Sequence, residues 1–223
     1  MAGFAQARRM MVDGQIRTSD VTDLRLLDAM FEMPRERFVP PDKAGLAYLD
    51  DNISVSQPAA GQPSRSLLKP MVLAKLLQAA EVGAADDVLD VGSATGYAAA
   101  LLSRLARHVV ALEEEESLGA HASKALAELG ANNVSVVIGP LAAGWPTRAP
   151  YDMILLEGRT EIRPQVLFQQ LKDGGRLLCV QGKGPVAKAM LYRADGGDVS
   201  GRPIFDALAP VLPGFAERPT FVF

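Results

Sequence analysis

The sequence predicts a doubly wound α/β fold, with a mostly parallel sheet and antiparallel C-terminal strands. Three observations carry this reading. Apolar runs of strand length at Val88–Val91, Val109–Leu112, Val134–Ile138, Tyr151–Leu156 and Arg176–Gln181 alternate with stretches of helical spacing. The first run enters a glycine turn, Gly92-Ser-Ala-Thr-Gly96, which leads into the helix-forming stretch Ala98–Ala106. The tail adds strand candidates at Ala187–Arg193 and near Thr220–Phe223, which supply the antiparallel end.

The remaining elements follow from local chemistry. Ala5–Ile16 carries Met10, Met11 and Ile16 on an apolar stripe and reads as a helix. Thr18-Ser-Asp-Val offers N-caps for a helix over about Thr22–Phe31, which Pro34 stops. Residues 35–41 extend the chain, and 44–51 form a short irregular piece around Tyr48. Residues 52–66 are rich in Gln, Pro, Gly and Ser and read as a loop suited to a substrate lid. Pro70–Ala80 is an amphipathic helix with proline in its first turn. A helix beginning at Glu114-Glu-Glu116 ends at Leu129-Gly130, a glycine C-cap. Pro164–Leu171 makes a further helix before the turn Asp173-Gly-Gly175. The chain divides into an N-terminal helical segment and substrate-side loop, 1–66, and a main domain, 67–223.

Composition narrows the function. With 223 residues, 48% hydrophobic and 22% charged, the chain can fill one substantial core. A net charge of −3 supplies no electrostatic footprint for nucleic acid or an anionic membrane. Cys179 stands alone within the apolar run Arg176–Val180, so neither a disulfide framework nor a zinc cluster is expected, and a buried structural thiol is. His108 and His121 read as surface helix residues. No apolar run reaches the length of a membrane span, and Arg8 and Arg9 are not followed by a signal-like core. The expected protein is soluble and cytoplasmic, and the sequence does not fix its oligomeric state.

Strand, glycine turn and helix together make a nucleotide-binding corner. The second strand ends at Glu113, and 113 − 92 places it 21 residues beyond Gly92. A carboxylate there can accept hydrogen bonds from both ribose hydroxyls of an adenosine cofactor. The turn reads G-x-A-x-G and lacks the G-x-G-x-x-G spacing that suits a pyrophosphate. A cofactor without phosphates, S-adenosylmethionine, fits the shorter turn. Gly92, Ser93 and Gly96 are assigned to a backbone cradle around the methionine tail, with Asp90 ordering the turn.

Beyond the turn, the chain resembles the protein-L-isoaspartate O-methyltransferase family over nearly its whole length. Met11-Val-Asp-Gly-Gln-Ile16, Asp23–Met30, Pro34-Arg-Glu-Arg-Phe-Val-Pro40 and Ala47-Tyr-Leu-Asp50 are similar to its N-terminal signature. Val88–Gly92 through Gly96-Tyr-Ala-Ala99 is similar to its cofactor motif. Leu129-Gly130, Asn133-Val134, Gly144-Trp145, Ala149–Asp152, Gln170-Leu171 and Gly174–Arg176 extend the likeness. The resemblance implies a Rossmann-like S-adenosylmethionine-dependent fold. It also implies methyl transfer to the carboxylate of an isoaspartyl residue in a peptide or protein substrate.

The chain departs from that family where chemistry is expected. The family's T-I-S-x-P segment reads Ser66-Leu-Leu-Lys-Pro70, so Leu68 stands at the position of the serine that acts there. Pro63, Ser64 and Arg65 form an insertion after Gly61-Gln62, and Ser66 is the hydroxyl nominated near the acceptor. The family's G-D-G reads Gly139-Pro140-Leu141, which leaves Leu141 to cover the adenine face. Glu157-Gly-Arg159 replaces a run of small residues. Three readings stay open. The chain methylates isoaspartyl carboxylates; or it methylates another acceptor read by Arg65, Lys69, Glu157 and Arg159; or it is an inactive cofactor-binding or interaction module.

Overall fold

A computed structural model describes residues 2–56 and 64–217. The expected strands near Thr220–Phe223 lie outside the described residues. The central sheet contains β3 (Asp87–Val91), β4 (His108–Glu113), β5 (Val134–Ile138), β6 (Tyr151–Thr160), β7 (Leu171–Gln181), β8 (Lys188–Asp195) and β9 (Asp198–Asp206). Their order across the sheet is β5-β4-β3-β6-β7-β8-β9. The first five strands are parallel, whereas β8 and β9 pair antiparallel. The doubly wound sheet with an antiparallel end is the architecture the sequence predicts. Chain order reverses at β3, which has β4 on one side and β6 on the other. Open α/β sheets form ligand crevices at such switch points, beyond the carboxyl ends of the strands.

Among the described residues, six α-helices accompany the sheet: α1 (Ala2–Met11), α2 (Leu24–Glu32), α3 (Pro70–Ala80), α4 (Tyr97–Leu102), α5 (Glu116–Glu128) and α6 (Gln165–Phe168). Several bounds differ from expectation. The first helix ends at Met11 and continues as a widened turn over Val12–Ile16. Asp23, not Thr18-Ser-Asp, caps α2, its carboxylate accepting from the amides of Arg25 and Leu26. The third helix matches its predicted span, and Gly130 follows α5 with φ +70°. The predicted helix Pro164–Leu171 is a single turn because Leu171 already pairs with Tyr151 in the sheet. His108 opens β4 rather than lying on a helix; it is exposed, as is His121 on α5. Within the expected loop 52–66, β1 (Ile53–Ser54) and β2 (Ser66–Leu67) form a short antiparallel ladder.

Alternation along the strands separates two apolar clusters. One contains Val88, Val109, Ala111, Met153 and Leu155 with residues of the N-terminal segment, α3, α4 and α5. The other contains Leu89, Val91, Val110, Leu112, Ile154 and Leu156 with α6 and the C-terminal Leu212 and Phe215. Cys179 lies in the second cluster, fully buried, and burial lifts its thiol to about 12. It is a structural thiol, as expected.

Arg35 ties the N-terminal segment to the site wall. Fully buried, it donates from Nε to the carbonyl of Ala47 (2.8 Å) and from Nη2 to that of Leu68 (2.8 Å). Its guanidinium also sits 4.6 Å from the centroid of the Tyr97 ring on α4. Removing a buried cation held this way leaves two carbonyls unsatisfied and a void above an aromatic ring. Arg35→Ala should lower the free energy of unfolding by about 3 kcal/mol, read as a drop in the urea midpoint at unchanged m-value.

Candidate functional site

Strand register builds the site. Val91 pairs with Leu112 on one side and Leu156 on the other. The next residues of the three strands, Gly92, Glu113 and Glu157, therefore emerge side by side at the switch point. Side chains alternate along a strand, so Asp90, Glu113 and Glu157 share the sheet face of Val88, Ala111 and Leu155. Three carboxyl groups thus converge on one face at the ends of three adjacent strands. All are buried: Asp90 and Glu113 are 0% exposed and Glu157 is 2% exposed.

The glycine turn is held from within. The amides of Gly92 and Ser93 donate to the carbonyl of Leu112 at 2.8 and 3.1 Å, and the Gly96 amide donates to that of Ser93 at 2.8 Å. Those three amides are therefore committed inside the fold. Gly92 and Gly96 have φ of +80° and +92°, as a glycine turn requires. Ala94 occupies the same left-handed region at φ +50°. Its amide donates to Glu113 Oε2 at 2.7 Å, which fixes the turn against β4. A non-glycine residue there costs about 1 kcal/mol.

Glu113 is the most heavily engaged group. Oε1 accepts from the amides of Glu114 (2.9 Å) and Glu115 (3.2 Å) and from Arg65 Nε (3.3 Å). Oε2 accepts from the Ala94 amide and from Arg65 Nη2 at 3.0 Å. Arg65 Nη2 also donates to the carbonyl of Gly92 at 2.7 Å. Burial pushes the Glu113 carboxyl up, but the Arg65 charge, its hydrogen bonds and the two backbone amides outweigh this and hold it below the usual range. Arg65, from the insertion, is 5% exposed and is a buried counter-ion.

Asp90 and Glu157 have opposite circumstances. Neither oxygen of Asp90, nor Oε1 of Glu157, nor the hydroxyls of Ser93 and Tyr97 has a hydrogen-bond partner among the described residues. The side chain of Asp90 therefore makes no bond that orders the turn. Burial and the charge of Glu113 raise Asp90 to about 7, against the lowering effects of Glu157 and Arg65. Burial, then the nearby Asp90 charge, lift Glu157 well above the carboxylate range. Both carboxyls are thereby biased towards their protonated forms relative to an exposed carboxylate.

The sequence model of the protein-L-isoaspartate(D-aspartate) O-methyltransferase family matches residues 6–203. A protein-L-isoaspartate O-methyltransferase 2 of Anaeromyxobacter sp. is 40% identical over 82% of this chain and 72% of its own length. The Koribacter versatilis protein-L-isoaspartate O-methyltransferase is 36% identical over 88% of this chain and 86% of its own. The chain belongs to this family. Among solved structures, a protein-L-isoaspartate O-methyltransferase superposes with a TM-score of 0.79 at 24% identity, covering 93% of this chain and 66% of the other. A Plasmodium falciparum chain described under the same name, in complex with S-adenosyl-L-homocysteine, superposes with a TM-score of 0.76 at 14% identity. It covers 91% of this chain and 96% of its own length. These two likenesses show the fold. The family's cofactor is S-adenosylmethionine.

The residues where this chain departs from the family are accounted for in the fold. Leu68 is buried in the cluster that joins the N-terminal segment to α3, and its carbonyl accepts from Arg35. Ser66 is buried on β2 opposite Ser54, and Ser64 shares a 2.5 Å hydrogen bond with Ser54. Pro140 precedes the turn Leu141–Ala143, whose Leu141 is buried beside Leu112 and Val91 in the second cluster. Arg159 donates to the carbonyls of Gly182 (2.9 Å) and Ala209 (3.2 Å) and to Glu161, so it braces the C-terminal segment. Lys69 lies 4.0 Å from Asp50. Sequence reasoning missed the roles of Arg65 and Glu157. A basic residue in an insertion and an acid in a run of small residues were the signals available.

Two outcomes follow from these geometries. Ala94→Gly should raise stability by about 0.5–1 kcal/mol, since relief at φ +50° exceeds the added unfolded-state entropy. Because burial raises Asp90 to about 7 from the unfolded value near 4, its contribution to stability is full at low pH and is lost as pH rises through about 7. Melting scans from pH 5 to 8 should show a loss of about 2 kcal/mol, and Asp90→Asn should flatten most of that slope.

Proposed function

We propose that this chain is an S-adenosylmethionine-dependent carboxyl methyltransferase that esterifies an isoaspartyl residue of a peptide or protein. The observation that carries the reading is the set of unpartnered buried acceptors, Asp90 and Ser93, placed by strand register beside Gly92 and Glu113 at the switch point. Such acceptors suit a ligand with a cationic amine and a vicinal diol. Asp90 and Ser93 would hold the amino-acid tail beside Gly92 and Gly96. Glu113 would hold the ribose hydroxyls, and Leu141 would line the adenine side.

The cofactor supplies a methyl group on a sulfonium, an electrophile that an ionised carboxylate attacks directly. The chain's task is to align the acceptor and exclude water, and no strong base is required. We assign residues 1–66 to the acceptor side, with Ser66 as the nearest candidate hydroxyl, and 67–223 to the methyltransferase domain. Leu68 and Tyr97 would contribute an apolar wall.

A second reading, a family member that binds without catalysis, is favoured by the filling of the Glu113 seat by Arg65 and by Leu68 at the serine position. Calorimetric titration with S-adenosylhomocysteine, followed by a labelled-methyl assay on an isoaspartyl peptide, separates the two. Micromolar binding with label transfer is the expected result. Binding without transfer would favour the second reading, and no binding at millimolar ligand would overturn cofactor use. Leu68→Ser should lower stability by about 2 kcal/mol, because it deletes buried apolar volume and buries a hydroxyl. If the position retains its family role, the variant should also raise kcat at nearly unchanged KM for the cofactor.

A further inference from the structure

We infer that Arg65 is the residue that sets cofactor affinity, because its guanidinium occupies the seat that an adenosine ribose requires. The inference rests on the cofactor reading above and concerns a residue of this chain's own insertion.

Acceptor capacity is the first argument. An ionised carboxylate offers about four lone-pair directions. Glu113 already accepts five donors, two of them from Arg65. The three backbone amides belong to the glycine turn and to the chain entering α5, so they stay with the fold. Only Arg65 can leave. Vicinal hydroxyls can therefore reach Glu113 only by replacing the guanidinium.

Space is the second argument. A β-carbon built on Gly92 would lie 2.7 Å from Arg65 Nη2 and 3.0 Å from Leu212 Cδ2. The open face of the glycine is where a cofactor backbone would pass, and it is covered by these two side chains. Leu212 also closes over Gly158, where a β-carbon would meet its Cγ at 2.6 Å.

Charge is the third. Arg65 is the counter-ion of Glu113 in a pocket that also buries Asp90 and Glu157. A ligand that displaces it is favoured if it brings an ammonium of its own, which S-adenosylmethionine and S-adenosylhomocysteine both do and a plain nucleoside does not.

Local structure shows how Arg65 is presented. Its amide donates to Ser56 Oγ at 2.9 Å, and its carbonyl accepts from the Val55 amide at 2.9 Å. The ladder of β1 and β2 therefore fixes the backbone, while exchange needs only the side chain to swing. Side-chain rotation is far cheaper than unfolding a strand.

The test is calorimetric titration of S-adenosylhomocysteine into the wild type, Arg65→Ala and Arg65→Gln, with a melting scan of each. Both variants should bind at least ten-fold more tightly than the wild type. If removal of the buried cation lowers the melting temperature, ligand should restore more of it in the variants than it adds to the wild type. Equal or weaker binding by both variants, with the wild type binding, would overturn the inference and leave the cofactor reading standing. Absence of binding in all three folded proteins would overturn both.

Discussion

The carboxylate of Glu113 is where the local and long-range organisation of this protein meet. It terminates β4, receives the amides that turn the chain towards α5, fixes the glycine turn through Ala94 and pairs with Arg65 from a segment 48 residues earlier. A carboxylate with no exposed surface is costly unless such partners surround it. Breaking a buried ion pair from one side typically costs about 3–5 kcal/mol. The pair is consequently part of the fold's stability.

Register gives that interaction its meaning. Pairing β3 with β4 and β6 in step brings Gly92 level with Glu113 and Glu157, and period-two alternation puts Asp90 on the same face. An acid at each of three strand ends then makes the switch point strongly acidic. The chain meets this in two ways: Arg65 pairs with Glu113, and burial favours the protonated forms of Asp90 and Glu157.

Much of this architecture was legible in the residues. The helix Pro70–Ala80 and the strand Val134–Ile138 have the bounds their patterns imply, because caps, proline and apolar spacing act locally. Glu113 was legible as a strand-end acid for the same reason. What escaped is non-local or weakly patterned. β9 contains Gly201 and Pro203 and is largely exposed at a sheet edge, so it lacks the alternation that identifies a strand. The shortened α6 reflects competition from sheet pairing at Leu171, which no propensity reveals. Arg65 looked like a loop charge because its partners are remote in sequence. Glu157 looked like a specificity residue, yet its neighbour is Asp90 across the strand pair. The family resemblance located the altered positions but could not say that one of them, Arg65, pairs with Glu113.

A crystal structure of the wild-type protein with S-adenosylhomocysteine tests the central claim most directly. The account predicts ribose hydroxyls within hydrogen-bonding distance of Glu113, Arg65 turned away from both Glu113 and the Gly92 carbonyl, and the backbone amides of Ala94, Glu114 and Glu115 still in place. Ligand bound in the crevice with the Arg65–Glu113 pair intact would contradict it.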